Sequence, residues 1–515
     1  LRADYTHSNQ EGPAYKLGGL VASSLGVQNI GMQRGLTAAQ AATATERANS
    51  VALAMGEINS LDFQDVLQNF GSKSDVTGQG TSLTAVVDLS DDIQFKSISA
   101  YRELERDLLG DQDGSRWAIL STQGYTTQEV FSQELQLVGD SFDDDLEWIL
   151  GAFYSDETGT EGTLSDSLNS TSISNPSNTD GDVDNETKAV FAQGTYALTD
   201  SLSFTGGLRY TQDSKLLESH NSNAVGCTVP AVFRSGPACS GTFEDDWSAT
   251  TYTASIDWKP LEDLLIYART GKGYRSGGFN LRGSSTPATF AAFDPETVTD
   301  YELGLKTDVL DRRLRINAAA YYSEYEDIQR NVRMLINNVT TSLITNAAKG
   351  EVTGFELEVT AMPIDSLELR ATTAYTDAGY KEWVDLTGDK SHLDFQQTPM
   401  WTYSLSAAYT LFQESGDLRM QLDWAWRDDV QFNPESVFDG RNGQPDLRGQ
   451  KSFGLLNARI GKNFADSGID VALFARNLLD EEYVAAALDQ SATLGTVAQV
   501  AGEPRVIGAE IKKRF

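Results

Sequence analysis

The chain has 515 residues, of which 40% are hydrophobic and 10% aromatic, with 44 Gly and 12 Pro. So few apolar residues with so many rings exclude a disordered chain, which lacks aromatics to bury, and argue against three ordinary globular domains, whose apolar share is about 45–50%. A formal charge of −34 excludes nucleic acid as a partner of the molecule as a whole.

The chain opens on Leu1 with no basic-then-apolar leader, so a processed or truncated product is expected. No run of about 18 apolar residues occurs from which a membrane helix could form. A first segment, 1–9, is followed by a long connection, 10–79. Within it, Thr37, Ala38, Ala39, Gln40, Ala41 and Ala42 precede Val51, Leu53, Ala54, Met55 and Ile58, which predicts a short surface helix in 36–69. Segment 93–103 alternates but changes phase midway, predicting a bulge or a misplaced boundary. The acidic run Asp180, Gly181, Asp182, Val183, Asp184, Asn185 and Glu186 is spaced like a calcium loop. It lacks Gly at the sixth position and has Phe191 at the twelfth, so a solvated acidic loop is expected.

Alternation is clear in 201–213. Leu202, Phe204, Gly206, Leu208 and Tyr210 share one face, and Ser203, Thr205, Gly207, Arg209 and Thr211 the other. Cys227 and Cys239 follow in a Gly-, Pro- and Ser-rich stretch without a CxxC pattern; an extracytoplasmic loop disulfide is expected, two unpaired thiols being the alternative. Segments 251–258, 301–306, 354–361 and 401–411 alternate as well. Segment 417–427 sets Leu418, Met420, Leu422, Trp424 and Trp426 against Arg419, Gln421, Asp423, Ala425 and Arg427.

Eight short connections rich in Asp, Gly, Pro or Ser separate these segments at 90–92, 139–143, 199–201, 260–263, 311–312, 363–365, 414–417 and 465–468. Nine long ones alternate with them at 10–79, 108–124, 156–184, 215–245, 271–296, 329–350, 377–399, 428–451 and 477–503. Together they bound about 18 strands, each with one apolar and one polar face. Strands of that kind can close into a transmembrane antiparallel up-and-down β-barrel, which leaves no backbone edge unpaired in hydrocarbon. About 10 residues per span, with alternate ones facing lipid, also account for the low apolar content, and interfacial girdles account for the rings. A soluble sandwich or propeller does not make every second connection long.

The run Gly271, Lys272, Gly273, Tyr274, Arg275, Ser276, Gly277, Gly278, Phe279, Asn280 resembles a signature of the barrels of TonB-dependent outer-membrane receptors. Phe293 to Glu296, Tyr301 to Lys306, Arg315 to Tyr322, Val352 to Glu358 and Asn477 to Tyr483 are similar to further segments of that family, and Phe515 matches its terminal aromatic. The resemblance covers most of the chain. It implies an outer-membrane location in a Gram-negative bacterium, with long loops extracellular and the C-terminus periplasmic. It also implies contact with lipid and lipopolysaccharide, and assembly by the barrel machinery through Phe515. The family places a plug domain and a TonB-contacting box ahead of a barrel of about 22 strands. Neither is recognisable here, so residues 1–515 are expected to be an amino-terminally incomplete barrel in which 1–9 is an interior strand. Lys513 shares a face with Ile507, Ala509 and Ile511, and is expected to snorkel to the periplasmic interface.

Catalysis is not expected. His7, His220 and His392 are far apart, and no HExxH, GxSxG or phosphate-loop pattern occurs. No cofactor or resident metal is implied. The glycines of 271–278 are expected to end a strand in a tight, flexible outer loop. Ligand contacts are expected from Tyr274, Arg275 and Phe279, from Trp383, and from Arg427 and Arg441, because Arg forks suit carboxylate or catecholate oxygens and rings suit planar faces. Arg209, Glu302, Arg315, Glu356, Glu358 and Arg419 are expected to face the lumen and hold the plug. The resemblance implies import of a scarce, bulky nutrient powered by the TonB–ExbB–ExbD complex, foremost an iron–siderophore complex, with saccharide or cobalamin as other cargo. A passive porin-like channel is the alternative from a different class.

Overall fold

The computed structural model of the protein describes residues 1–168, 175–234, 239–283, 286–336, 339–385, 388–441, 445–464 and 467–513. Its frame is 18 long strands. The first nine are β1 Arg2–Gln10, β2 Lys73–Asp88, β3 Ile93–Asp111, β4 Leu120–Ser141, β5 Leu146–Ser167, β6 Ser177–Thr199, β7 Leu202–Ser219, β8 Gly241–Leu261 and β9 Leu264–Arg275. The rest are β10 Glu296–Val309, β11 Leu314–Ile336, β12 Val339–Ile364, β13 Leu367–Asp385, β14 Trp401–Leu411, β15 Leu418–Arg427, β16 Phe453–Phe464, β17 Ile469–Arg476 and β18 Val506–Lys513.

Each strand pairs antiparallel with the next, so the row runs in sequence order as an up-and-down barrel wall. Register sorts the side chains. Leu202 opposes Trp258, Phe204 opposes Ile256 and Leu208 opposes Tyr252 on one face, while Ser203 opposes Asp257 and Arg209 opposes Thr251 on the other. The apolar face is bare: Leu208, Leu303, Leu473, Ile507 and Ile511 are all exposed, as lipid-facing residues must be before lipid covers them. At the other end of that face Lys513 Nζ donates to the Ser467 carbonyl beside a tight turn.

All eight short connections join strands at one end and all nine long ones at the other. Several strands are far longer than the alternation predicts. β4 and β5 have 22 residues each, β6 has 23 and β12 has 26. Most of 156–184 and 329–350, and a large part of 108–124, 215–245 and 377–399, is therefore strand rather than loop. The acidic run 180–186 lies in β6, laddered to β5 with Asp182 opposite Thr160, so it is neither a calcium loop nor a solvated one. The bulge predicted in 93–103 is absent: β3 pairs without a register shift on both sides. The phase change arises because Ile98 falls on the inner face while the serines beside it, Ser97 and Ser99, occupy the outer one.

The first long connection folds into α1 Leu25–Gln33, α2 Ala38–Ala41 and α3 Ala44–Asn59. Thr37 and Gln40 form a capping box on α2, Thr43 caps α3 and Ser24 caps α1. The helix expected in 36–69 is thus two helices, and α1, diluted by Gly26 and Gly31, escaped the pattern. Val27, Ile30, Ala54 and Ile58 bury their side chains against Leu17, Leu20, Trp117 and Ile119. Asp113, fully buried in the turn after β3, supports that core. Its carboxylate accepts from the amides of Ser115 (3.1 Å), Ile119 (3.3 Å) and Leu120 (2.9 Å) and from the Ser115 hydroxyl (2.5 Å). Burial, reinforced by the neighbouring Asp111 carboxylate, still pushes its pKa up to about 7.

Among the described residues no ladder joins β1 to β18. The two ends of the row meet above the wall instead: strand Tyr15–Leu20 of the first long connection pairs with Thr496–Ala501 of the last, and that with Val484–Gln490.

Candidate ligand site on the inner wall

The polar face of β7 continues past Arg209 through Thr211, Asp213, Lys215 and Leu217, and β8 sets Trp247 directly across from Asp213. Here the connection after β9 folds inward and lies on the wall. Lys215 Nζ donates to the Gly277 carbonyl at 2.9 Å, and the Tyr274 hydroxyl donates to Asp213 at 3.0 Å. Asp213 also accepts from Thr187 at 2.7 Å. Further along, the buried Asn221 amide donates to the carbonyls of Leu281 (2.7 Å) and Gly283 (2.9 Å), and its oxygen accepts from the Asp180 amide at 2.9 Å.

Apolar packing completes the roof. Phe243 stacks on Phe290 with centroids 4.9 Å apart, and Phe279 meets Trp247 edge-on at 5.9 Å. The signature glycines serve this contact. A Cβ on Gly277 would sit 2.4 Å from the Trp247 ring and 2.3 Å from the Phe293 carbonyl oxygen. Gly278 would meet the Phe293 ring at 2.8 Å. The glycines are there for close approach, and the flexible outer loop expected of them is a tight inner one. Cys227 and Cys239 are joined by a disulfide in the neighbouring connection, which contributes Phe233 to the same aromatic cluster.

Beneath the roof is a cavity of about 370 Å³ between Gly278, Phe279, Leu281 and Phe293 and the inner faces of β4 to β7. Its lining includes Gln128, Glu157, Glu161, Asn185, Lys215 and Phe279. Asn185 donates to Glu157 at 3.4 Å, and Gln128 donates to it as well.

The six expected ligand residues do not converge. Tyr274, Arg275 and Phe279 belong to the roof or its root. Trp383 is buried on β13 with Tyr380, Ile328 and Ala348, against Phe395, where Arg330 lies over the Tyr380 and Phe395 rings. Arg427 lies 4.7 Å over Phe453, which stacks on Tyr483 at 4.4 Å. Arg441 points into solvent, and its guanidinium holds the Asp439 carboxyl below the usual carboxylate range.

The six lumen candidates share the face opposite the apolar band, and most are paired within the wall. Arg315 binds Asp308 at 2.8 Å, Arg419 lies 3.6 Å from Glu368, and Glu302 accepts from Tyr267 at 2.6 Å. Glu358 accepts from Asn317 at 3.2 Å, its neighbour Glu356 standing one residue pair further along the same face. Arg209 lies over Phe153 and Phe191 at 5.5 and 5.6 Å. Phe515 lies outside the described residues. Sequence reasoning missed Glu157, Glu161, Lys215 and Asn221. Lys215 was within reach, since it continues the alternation of Arg209, Thr211 and Asp213.

His7 sits on β1 beside Thr77 and His220 at the end of β7 beside Asp180, with His392 in the connection after β13, so the three histidines form no common site. Among the described residues no group of His, Cys, Asp and Glu could hold a metal ion.

A family model described as TonB dependent receptor-like, beta-barrel, matches residues 23–478. The chain belongs to that family. Among curated proteins, this TonB-dependent receptor barrel is similar to the pesticin receptor of Yersinia pestis, 26% identical over 173 residues that cover 34% of the chain and 23% of the relative. It is 29% identical over 145 residues to the probable TonB-dependent siderophore receptor PiuA of Acinetobacter baumannii, covering 27% and 19%. Against the catecholate siderophore receptor Fiu of Escherichia coli it is 22% identical over 322 residues, covering 60% and 40%. Each alignment takes in less than half of the relative. The solved ferric yersiniabactin uptake receptor FyuA of Yersinia pestis superposes with a TM-score of 0.69 at 16% identity, covering 86% of this barrel and 62% of that chain. The closed form of Fiu from Escherichia coli K12 gives 0.65 at 16% identity, covering 99% and 71%. At those identities the structural likeness establishes the fold.

Proposed function

We propose that the chain is the barrel of an outer-membrane receptor that imports a scarce, bulky nutrient with energy delivered through TonB, and that the cargo is an iron–siderophore complex. Several relatives carry siderophore or ferric-siderophore uptake in their names, which supports the cargo class. The observation that carries the reading is the roofed cavity: the segment bearing the family signature is folded into the lumen and held there by Lys215 and Asn221, where a ligand entering among the long connections would meet it. The protein is then a receptor and not an enzyme, with its long connections outside the cell and β18 ending at the periplasm.

The reading requires partners beyond these residues. A plug carrying the TonB contact would fill the lumen against the charged inner face, where Arg209, Glu302, Arg315, Glu356, Glu358 and Arg419 stand. Further strands would fill the seam between β1 and β18, because unpaired backbone groups cannot face hydrocarbon. Lipopolysaccharide would cover the outer leaflet side, and Phe515 would present the chain to the assembly machinery.

Uptake of radiolabelled iron chelates by iron-starved cells expressing the full-length gene tests the proposal. Uptake above the vector control, abolished in a host lacking TonB, is expected. Uptake indifferent to TonB would point to a passive pore instead, and no uptake of any chelate would remove iron as the cargo.

A further inference from the structure

The cavity under the roof is small beside a whole iron chelate, and its 370 Å³ suits one arm of a larger ligand. Its charges are unbalanced. Glu157 and Glu161 both line it, and among the described residues no cation stands within ion-pair distance of either carboxylate. Their neighbours are amides: Gln128 and Asn185 turn N–H groups toward Glu157. The one ammonium in the lining, Lys215 Nζ, interacts with Glu157 only through space: it donates to the Gly277 carbonyl and lies 6.0 Å from the Trp247 ring. Arg275 stands near Lys215 but does not line the cavity. The rest of the lining combines the apolar roof of Phe279, Leu281 and Phe293 and Leu217 in the floor with Thr126, Thr127 and Thr160.

Two carboxylates against one ammonium leave the site net negative, and a carboxylate outside any direct ion pair attracts O–H, N–H and ammonium donors through charge-assisted hydrogen bonds and repels an anion placed beside it. The chain's −34 charge extends the same bias to the approach from solution, where it is screened by salt. We propose that this cavity receives an uncharged or cationic arm of the cargo, bearing hydroxyl or amide donors and one apolar edge, and that the receptor discriminates against polyanionic ferric complexes. The inference rests on the import reading and narrows it, because a ferric tris-hydroxamate with an ammonium tail meets the description and a trianionic ferric tris-catecholate does not.

The test uses the full-length receptor in outer-membrane vesicles and three probes: a cationic ferric tris-hydroxamate, a trianionic ferric tris-catecholate and an uncharged oligosaccharide. Binding of each is titrated at low and high salt. The cationic or the uncharged probe should bind at least about tenfold more tightly than the trianion at low salt, with the cation's advantage shrinking as salt rises. The double variant Glu157→Gln, Glu161→Gln should close most of the gap between cation and trianion. The comparison on the unaltered protein stands even if that variant does not fold. Tightest binding by the trianion, unchanged in the double variant, would overturn the charge assignment and leave import standing. Failure of all three probes to bind would overturn the charge assignment as well, while import itself stands or falls on the TonB-dependent uptake measurement.

Discussion

The barrel has two unlike walls. From β3 to β8 the strands run 18 to 23 residues, whereas β14 to β18 run 8 to 12. A tilted strand crosses a bilayer in about 9–11 residues, so the short wall stops at the membrane surface while the long wall continues about ten residues above it. The roof, the cavity and the disulfide-bonded connection all rest on the inner face of that projecting part. Along the short wall the connections begin at the membrane and fold over it, Lys390 reaching from one to Glu435 in the next at 2.7 Å. Height above the membrane, and not a special loop, is what gives one side of the barrel a surface on which to build a site.

If the walls differ only above the bilayer, substitutions should separate the two zones of one strand. Leu208→Arg on the lipid face of β7 should cost about 2–4 kcal/mol of barrel stability, whereas Leu216→Arg, eight residues further along the same outer face, should cost about 0–1. Urea unfolding in lipid vesicles, read by heat-modifiable gel mobility, measures both. Equal costs would mean that the bilayer reaches the top of the long wall. On the short wall, Leu422→Arg at the middle of β15 should behave like Leu208→Arg.

The same boundary decides what was legible in the sequence. Inside the bilayer, lipid on one side and a wet lumen on the other impose strict alternation, and the tight turns stand out as Asp-, Gly- and Pro-rich breaks. Strand number, order and the sides of the connections followed from those two signals. Above the bilayer both faces are wet, so Asp156 to Ser167 or Asp180 to Glu186 can be polar but for Leu164 and Val183 while the ladder continues unbroken. Nothing in composition then distinguishes strand from loop, and Glu157, Glu161 and Asn185 vanished into supposed loops. Asn221 is a different case. Its role depends on the inward course of a segment 60 residues later, which no local pattern encodes.

The connection after β3 tests whether the helical cap belongs to the long wall as a rigid extension. Asp113→Ala would leave the amides of Ile119 and Leu120 without their acceptor, and should destabilise this turn by about 1–3 kcal/mol. The native residue also makes the turn pH-dependent. Its ordinary pKa of 3.8 is raised to about 7 in the fold, so the folded turn keeps a proton that the unfolded one has released. The stabilisation is complete below pH 4 and is lost as the pH rises through 7. Hydrogen exchange at Ile119 and Leu120 should therefore be slower at pH 5 than at pH 8, after correction for the intrinsic rate, and the Ala variant should show a smaller dependence, that of Asp111, whose pKa burial also raises.

A smaller effect separates roof from wall. Asn221→Ala removes three hydrogen bonds, two of them to the roof, and should free 276–283 at a cost of about 1–2 kcal/mol. Exchange protection in β7 and β8 should remain. Loss of protection along the strands as well would show that roof and wall open together.

The smallest effect concerns the turn end, where the walls differ in chemistry rather than height. Turns of the short wall place glycine in the left-handed region, Gly416 at φ 109° and Gly468 at φ 61°. The long-wall turn between β4 and β5 uses Phe142, Asp143 and Asp144 there, at φ 61°, 56° and 69°, and the turn between β10 and β11 likewise uses Leu310, Asp311 and Arg312, at φ 55°, 55° and 63°. Leucine is disfavoured in that conformation by about 1–2 kcal/mol because its Cβ crowds the following carbonyl, and Asn is the non-glycine residue that tolerates it best. Leu310 is 69% exposed, so its replacement forfeits little burial. Leu310→Asn should then stabilise the barrel by about 0.5 kcal/mol, whereas Gly416→Ala should cost about 1 kcal/mol. Destabilisation by Leu310→Asn would show that this leucine anchors the turn in the lipid interface, with the gain from contact exceeding the backbone strain.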